Sequence, residues 1–414
     1  MKIYHLADLH FGKKLAGYSM EDDQKHWVKE FLQYCSANKP DAVVIAGDVY
    51  DRANPTGEAV LLLDSLLTGL ADQKIKTFLI SGNHDSGTRI SFAGSILSKQ
   101  NIYVAGRLKK EIDHVTIDDP DGNGPVTFWM LPYTFPEEVS EVMDGEEYKN
   151  YDQAIRSLLA VQDIDTANRN IMISHQNVVV NGKEVERSGS ETMVGGVGMV
   201  DYTAYDSFDY VALGHIHSSY HVGREEVRYA GTPLCYHMNE TKQGDKGFLE
   251  VNIGAKGEKI EVNTIPIKPL HKMRYYPDIK KDEIFDLLED DPGRNEYFGI
   301  VISDQRITPE IDNYLNEIIT GRGSILMELT SSYNPGAGSK AKAEGDGVES
   351  IPEEDRFAEF FTAQNGGTPP TDEEYELMTF IGELVRNQDS TEPITEDDVL
   401  KIINKAKSIG GEIE

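Results

Sequence analysis

The sequence predicts an α/β fold, and three observations predict it. Short apolar runs of strand length recur through the first 265 residues. Segments with helical periodicity lie between them, the alternation that builds a largely parallel sheet with covered faces. Five clusters of Asp, Asn and His each fall at the C-terminal end of such a run, the edge where open α/β sheets bind ligands.

Taken in order, Lys2–Ala7, Ala42–Ala46, Thr77–Ile80, Asn170–Ile173 and Tyr210–Leu213 are predicted as buried strands, because apolar residues occupy both faces. Helices are predicted over Glu21–Ala37, Thr56–Leu70, Arg89–Leu97 and Asp152–Leu159. The second carries Val60, Leu61, Leu62, Leu63, Leu66, Leu67 and Leu70 around most of its circumference. Such a helix is expected to be buried, most simply inside its own domain. From about Ile265 to Thr330 a smaller α+β unit follows, ending in the strand-like Ile325–Leu329. The Gly-, Ser- and Ala-rich stretch Ser331–Ser350 reads as a flexible linker.

Three short amphipathic helices are expected beyond the linker. Phe357, Phe360 and Phe361 share a face of the first. Thr371 and Glu374 make a capping-box pattern ahead of Leu377, Met378, Ile381, Leu384 and Val385 in the second. The third runs from Thr395, with acids in its first turn, to Lys405, Lys407 and Gly410. Helices this short are marginal alone, and apolar faces behind a linker suit a partner's groove. The organisation read from the chain is therefore 1–265, 266–330, a linker 331–350 and an acidic helical tail 351–414.

A length of 414 residues allows more than one domain. With 39% hydrophobic residues and mean hydropathy −0.44 the chain reads as a soluble globular protein, not a collagen-like, disulfide-framework or disordered one. The opening MKIYHLADLHFG lacks a signal-peptide pattern, and Leu61–Leu70 is broken by Asp64 and shorter than the ~20 residues that span a bilayer. Cys35 and Cys235 are too few for a disulfide scaffold, so a cytoplasmic location is expected. The formal charge of −31 argues against a generic Lys/Arg-held nucleic-acid binder. Residues 341–414 hold 19 acids against 6 bases. A phosphate-bearing substrate would need compensation from bound cations or a partner chain.

The five clusters are Asp8-Leu9-His10, Gly47-Asp48, Gly82-Asn83-His84-Asp85, Ser174-His175 and Gly214-His215-Ile216-His217. Residues i and i+2 of an extended chain share a side, so Asp8 with His10, and His215 with His217, can each address one centre. Asp48 follows an apolar strand, where a lone carboxylate is costly unless a cation meets it. His, Asp and Asn donors without thiolate suit Mn, Fe or Zn. They are too many for one tetrahedral ion, so two ions sharing Asp48 is the economical arrangement, able to activate water for in-line phosphoryl displacement. Each short motif alone is commonplace; their joint order and strand context carry the reading. His5, His26, His114, His221, His237 and His271 lack that context and read as structural.

This ordered set resembles the calcineurin-like metallophosphoesterase family over about the first 235 residues. The resemblance implies a two-layered β-sheet core flanked by helices, with a small α+β capping domain and a helical C-terminal tail. It implies that Asp8, His10, Asp48 and His217 hold one metal, and that Asp48, Asn83, His175 and His215 hold the second. His84 would then be no ligand but would face the substrate phosphate, with Asp85 orienting it.

The stretches LADLHFGKKLAGYSMEDDQ, AGDVYDRANPTGEAV, LISGNHDSGTRISFAGSIL, SGSETMVGGVGMVD, DYVALGHIHSS and YAGTPLCYHMNE look closer still to the SbcD family of nuclease subunits. That likeness implies a Mn²⁺-dependent 3′–5′ double-strand exonuclease and single-strand or hairpin endonuclease, serving DNA repair, recombination and replication. By the same likeness 1–265 is the nuclease domain and 266–330 the capping domain. The tail would bind an SbcC-type ATPase, which binds the ATP, in a heterotetramer built on a homodimer. Asp51 departs from the archaeal and eukaryotic pattern, which has a second substrate-facing histidine there. Lys13, Lys14 and Arg52 are candidates for holding DNA. Two other readings are a small-molecule phosphodiesterase and an inactive phosphoesterase-fold scaffold.

Overall fold

In the computed structural model the described residues are 1–182, 198–291 and 293–333, together with Thr371, Tyr375 and Leu377. The chain divides into two compact units, Met1–Tyr333 and Asn334–Glu414. Most of the SGSETMVGGVGMVD stretch, the linker from 334 onward and the three amphipathic helices beyond it lie outside the described residues. In the second unit the Tyr375 N–H donates to the Thr371 carbonyl at 2.9 Å, one helical turn.

Two six-stranded sheets form the body of the first unit. One has the order Glu261–Pro266, Gly247–Asn252, Lys2–Leu6, Ala42–Ala46, Lys76–Ile80, Ile102–Ala105, and its last four strands run parallel. The other has the order Tyr220–Val222, Arg224–Tyr229, Tyr210–Leu213, Arg169–Ser174, Pro125–Leu131, Asp113–Asp118, with its four inner strands parallel. The two-layered sheet core that the resemblance implies is present, with four parallel strands in each layer; antiparallel strands at one edge of the first sheet and both edges of the second make both sheets mixed.

The period-2 alternation of a strand decides which side chains meet. Ala42, Val44, Ala46, Phe78 and Ile80 face the second sheet, where Phe128, Met130, Ile171, Ile173 and Ala212 meet them. Phe78 stacks on Phe128 with ring centroids 4.1 Å apart. The alternate residues Val43, Ile45 and Leu79 point the other way, to Trp27, Phe31, Leu62 and Leu66 on the helices Glu21–Asn38 and Gly57–Asp72. Helix Tyr151–Ala160 covers the outer face of the second sheet through Ala154, Ile155 and Leu158. The layers are thus helix, sheet, sheet, helix.

Helix Gly57–Asp72 is not buried all round. Leu66 and Leu70 are fully buried, but Leu61 is 69% exposed and Val60 45%. The single helix expected over Arg89–Leu97 is instead two short turns, Gly87–Ile90 and Gly94–Leu97. Ala93 between them is left-handed, with φ 59°, which no α-helix continues. After residue 266 a three-stranded parallel sheet, Lys272–Ile279, Glu296–Ile302 and Ile325–Ser331, packs on helices Lys281–Asp290 and Pro309–Thr320 around Phe298, Ile300 and Leu315. Asp23 accepts from the Tyr297 hydroxyl at 2.6 Å, tying this unit to helix Glu21–Asn38. Among the described residues no helix is long and apolar enough to cross a membrane.

Candidate metal centre

The ligand-bearing loops leave their strands through backbone that L-residues seldom adopt. Asp8, His10, Asp48 and His215 have φ of 53°, 44°, 46° and 96°. Such conformations cost on the order of 1–3 kcal/mol each and persist only where surroundings over-determine them. Here the His10 N–H donates to the Asp48 carbonyl at 3.0 Å, and Gln24 Nε2 donates to the His10 carbonyl at 2.7 Å. Gly47, at φ 85°, lets the Asp48 loop of the first sheet lie against the second, because a Cβ there would collide with the His175 ring.

All seven expected ligands converge at this shared edge. Asp8, His10 and His217 form one group, and Asp8, Asp48 and His175 another, with ligand atoms within 4.8 Å of one another in each. Asn83 Oδ1 lies 3.2 Å from His175 Nε2 and 3.1 Å from His215 Nδ1. His10 and His217 face each other through Nε2 atoms 3.2 Å apart. His175 donates from Nδ1 to the Ala46 carbonyl at 2.7 Å, which leaves its Nε2 turned inward.

A divalent cation fits these residues. Among the described residues Asp48 Oδ2 is buried with no hydrogen-bond partner, 3.3 Å from His175 Nε2 and 3.9 Å from His10 Nε2. A buried carboxylate oxygen in that state is costly until a positive charge meets it. Burial opposes ionisation of Asp48, yet His175, His10 and His84 outweigh it and hold the carboxyl well below its ordinary range. Burial likewise opposes a charge on His175, but Asp48 and Asp8 push that imidazole up to about 10. The carboxylates thus demand a compensating cation: a proton on His175 is one, a divalent ion the other. For His10, burial dominates and lowers its pKa, favouring the neutral imidazole that ligates metals.

His84 stands at the rim, its side chain 38% exposed, with Nε2 4.0 Å from Asp48 Oδ2. Its Nδ1 donates to the backbone carbonyl of Asp51 at 2.9 Å, which fixes the tautomer and turns Nε2 toward the centre. This corrects the expected role of Asp85. The Asp85 carboxylate instead accepts the backbone N–H groups of Val49, Tyr50 and Gly82 at 2.9–3.0 Å, bracing the two ligand loops against each other. Burial first, and then the Asp48 charge, push the Asp85 carboxyl up to about 6. The Asp51 side chain pairs with Lys13 Nζ at 2.9 Å, so Lys13 is engaged at the rim.

Sequence reasoning missed two residues here. Glu240, fully buried, accepts from His217 Nδ1 at 2.8 Å. Tyr236 donates to the Leu9 carbonyl, accepts from Gln24, and sets its ring 5.6 Å from that of His10. Both lie in YAGTPLCYHMNE, but neither has a spacing signal that links it to a histidine. His237, read as structural, sits beside the centre, its ring 6.0 Å from that of His217.

Comparison with known proteins identifies the family of the chain. The calcineurin-like phosphoesterase family model matches residues 1–219. The SbcD component of nuclease SbcCD from Staphylococcus epidermidis is 32% identical over 291 residues, 69% of this chain and 75% of that protein. Its counterpart from Staphylococcus saprophyticus is 32% identical over 292 residues, 70% of this chain and 75% of that protein. Among solved structures, a dimetal phosphatase from Danio rerio aligns over 64% of this chain and 95% of its own at 12% identity, with a TM-score of 0.40, too slight to carry an argument. On the family match and these two relatives, the chain belongs to the calcineurin-like phosphoesterase family and, within it, to the SbcD family of SbcCD nuclease components.

Proposed function

We propose that this chain is a divalent-metal DNA nuclease, a phosphodiesterase working with an SbcC-type ATPase that itself binds the ATP. The observation that carries the reading is the buried Asp48 Oδ2, without a hydrogen-bond partner among the described residues, set among His175, His10 and His84. On this reading Asp8, His10, Asp48 and His217 hold one ion, and Asp48, Asn83, His175 and His215 the other. Two such ions, Mn²⁺ foremost, supply an activated water and neutralise phosphate charge during in-line displacement. The chain's own residues do the rest. Asp51's carbonyl keeps His84 Nε2 toward the phosphate, where it donates to an oxygen that gains charge or protonates the leaving oxygen. Asp85 holds the Asp48 and Asn83 loops in register.

The substrates on this reading are duplex ends, cut 3′–5′, and single strands or hairpins. Residues 266–330 act as capping domain and 351–414 as the ATPase-binding tail. Exposed Leu61 and Val60 offer the apolar face of a homodimer. The protein acts in the cytoplasm in DNA repair, recombination and replication. The charge of −31 leaves DNA to be held through the ions and the partner.

The test is cleavage by the purified chain in Mn²⁺ of end-labelled single-stranded and hairpin DNA, beside a generic phosphodiester and the His84→Ala variant. Mn²⁺-dependent cutting that disappears in His84→Ala is expected. Turnover of the diester with DNA untouched would make the protein a small-molecule phosphodiesterase. Inactivity on both would make it a scaffold.

A further inference from the structure

Beside the seven ligands and His84, a buried charged cluster touches the centre directly. Glu240 sits on the short helix Met238–Gln243, and both its carboxylate oxygens are used. Oε1 accepts from His217 Nδ1 at 2.8 Å. Oε2 accepts from the Tyr236 N–H at 3.1 Å and the Thr232 hydroxyl at 3.3 Å, and pairs with Lys246 Nζ at 3.0 Å. Lys246 also donates to the backbone carbonyl of His217 at 2.8 Å, and the Thr232 N–H donates to that carbonyl at 3.2 Å. One cluster therefore grips His217 at both ends, ring and main chain. Glu240 is fully buried and the Lys246 side chain only 11% exposed, so neither charge is there for solvation.

We propose that Glu240, clamped by Lys246 and Thr232, is the positioning residue of the metal ligand His217: it fixes the ring's tautomer and direction, and with them the affinity of one of the two ions. The inference rests on the two-metal reading of the centre. An imidazole ligates through a nitrogen that carries a lone pair, and which nitrogen that is depends on the hydrogen bond the other makes. With Nδ1–H given to Glu240, Nε2 of His217 is left to face His10 Nε2 at 3.2 Å. Two of the other three histidine ligands, His175 and His10, are held differently. His175 uses a main-chain carbonyl for the same purpose, at 2.7 Å, which no substitution removes. His10 Nδ1 lies 3.8 Å from the Asp51 carboxylate, beyond hydrogen-bond reach. Of these three ligands, His217 is thus the one that depends, among the described residues, on a replaceable acidic side chain.

Glu240, His217 and His237 could alternatively hold a further ion, since their ligand atoms also lie within 4.8 Å of one another. The 2.8 Å contact between His217 Nδ1 and Glu240 Oε1 is that of a hydrogen bond, which favours the clamp.

The experiment is a calorimetric Mn²⁺ titration of the full chain and of Glu240→Gln, Lys246→Met, the double variant and His237→Ala, with melting of each in EDTA. The wild type should bind two ions. Glu240→Gln should weaken one of them by about 10–100-fold and leave the other unchanged. Lys246→Met should weaken the same ion, and the double variant should weaken that ion alone, since both side chains act on His217. His237→Ala should leave both affinities unchanged. Unaltered binding in Glu240→Gln, or equal weakening of both ions together with a lowered melting temperature in EDTA, would overturn the proposal. So would three ions in the wild type falling to two in both Glu240→Gln and His237→Ala. A wild type that binds no Mn²⁺ would overturn the metal-centre reading itself, and the clamp with it.

Discussion

His84 and Asp85 are neighbours with opposite consequences when lost. On the proposed reading the His84 ring faces the phosphate, so His84→Ala should lower DNA cleavage by about 10²–10⁴-fold. Metal content, read by elemental analysis, and the melting temperature should not move. Asp85 serves three backbone N–H groups of two separate loops. Asp85→Ala should therefore destabilise the fold by about 1.5–3 kcal/mol or more, seen in a denaturant titration, and lose activity because the loops part. The residues that converge at the centre are legible in the sequence, because metal-binding chemistry restricts such candidates to few residue types and the fold puts them at strand ends. The partner of His84 is not, since it is a main-chain carbonyl and could belong to any residue at position 51. Glu240 is hidden too, because a separation of 23 residues from His217 has no periodic meaning.

Among the elements, helix Gly57–Asp72 separates two roles that its sequence runs together. Leu66 is fully buried against the first sheet's outer face, so Leu66→Ala should cost about 2–5 kcal/mol in chemical denaturation. Leu61 is 69% exposed, and Leu61→Asp should stay within about 0.5 kcal/mol. If the homodimer forms through this face, sedimentation should show Leu61→Asp shifting it to monomer, and an unshifted dimer would place the interface elsewhere. The strands legible in the sequence are the parallel, doubly covered ones, such as Ala42–Ala46, whose every residue is buried. The edge strand Glu261–Pro266 escapes because none of its residues is buried and its half-buried and exposed positions follow no clean alternation, a weak signal for any pattern argument. Asp113–Asp118 alternates more cleanly, but charged or polar residues at four of its six positions give it the composition of a loop.

At the scale of the molecule, the buried carboxylates Asp8 and Asp48 make folding and metal binding one equilibrium. Saturating Mn²⁺ should raise the melting temperature, by about 2.7 kcal/mol of stabilisation at a hundred times the dissociation constant. Asp48→Asn should abolish most of that gain. Acid should act through His5 as well. Burial between the sheets, where it meets the Tyr210 hydroxyl, lowers His5 to about 3, so the folded state favours the neutral ring. That stability is present above the ordinary value of 6.5 and is lost as pH falls from there toward 3, at about 1.4 kcal/mol per pH unit. Replacing His5 by Asn should flatten that part of the wild-type acid profile. The ligands are also far apart in the chain: Asp8 lies near its beginning, and His215, His217 and Glu240 come more than 200 residues later. At roughly 5–20 residues per second of synthesis, tens of seconds or so separate the first ligand from the last. A nascent chain that has made only the loops of Asp8, Asp48 and Asn83 therefore lacks His175, His215 and His217, and with them a complete centre. The split of the site between two sheets makes the centre wait for the second sheet, whose strands Arg169–Ser174 and Tyr210–Leu213 deliver the last three of its residues.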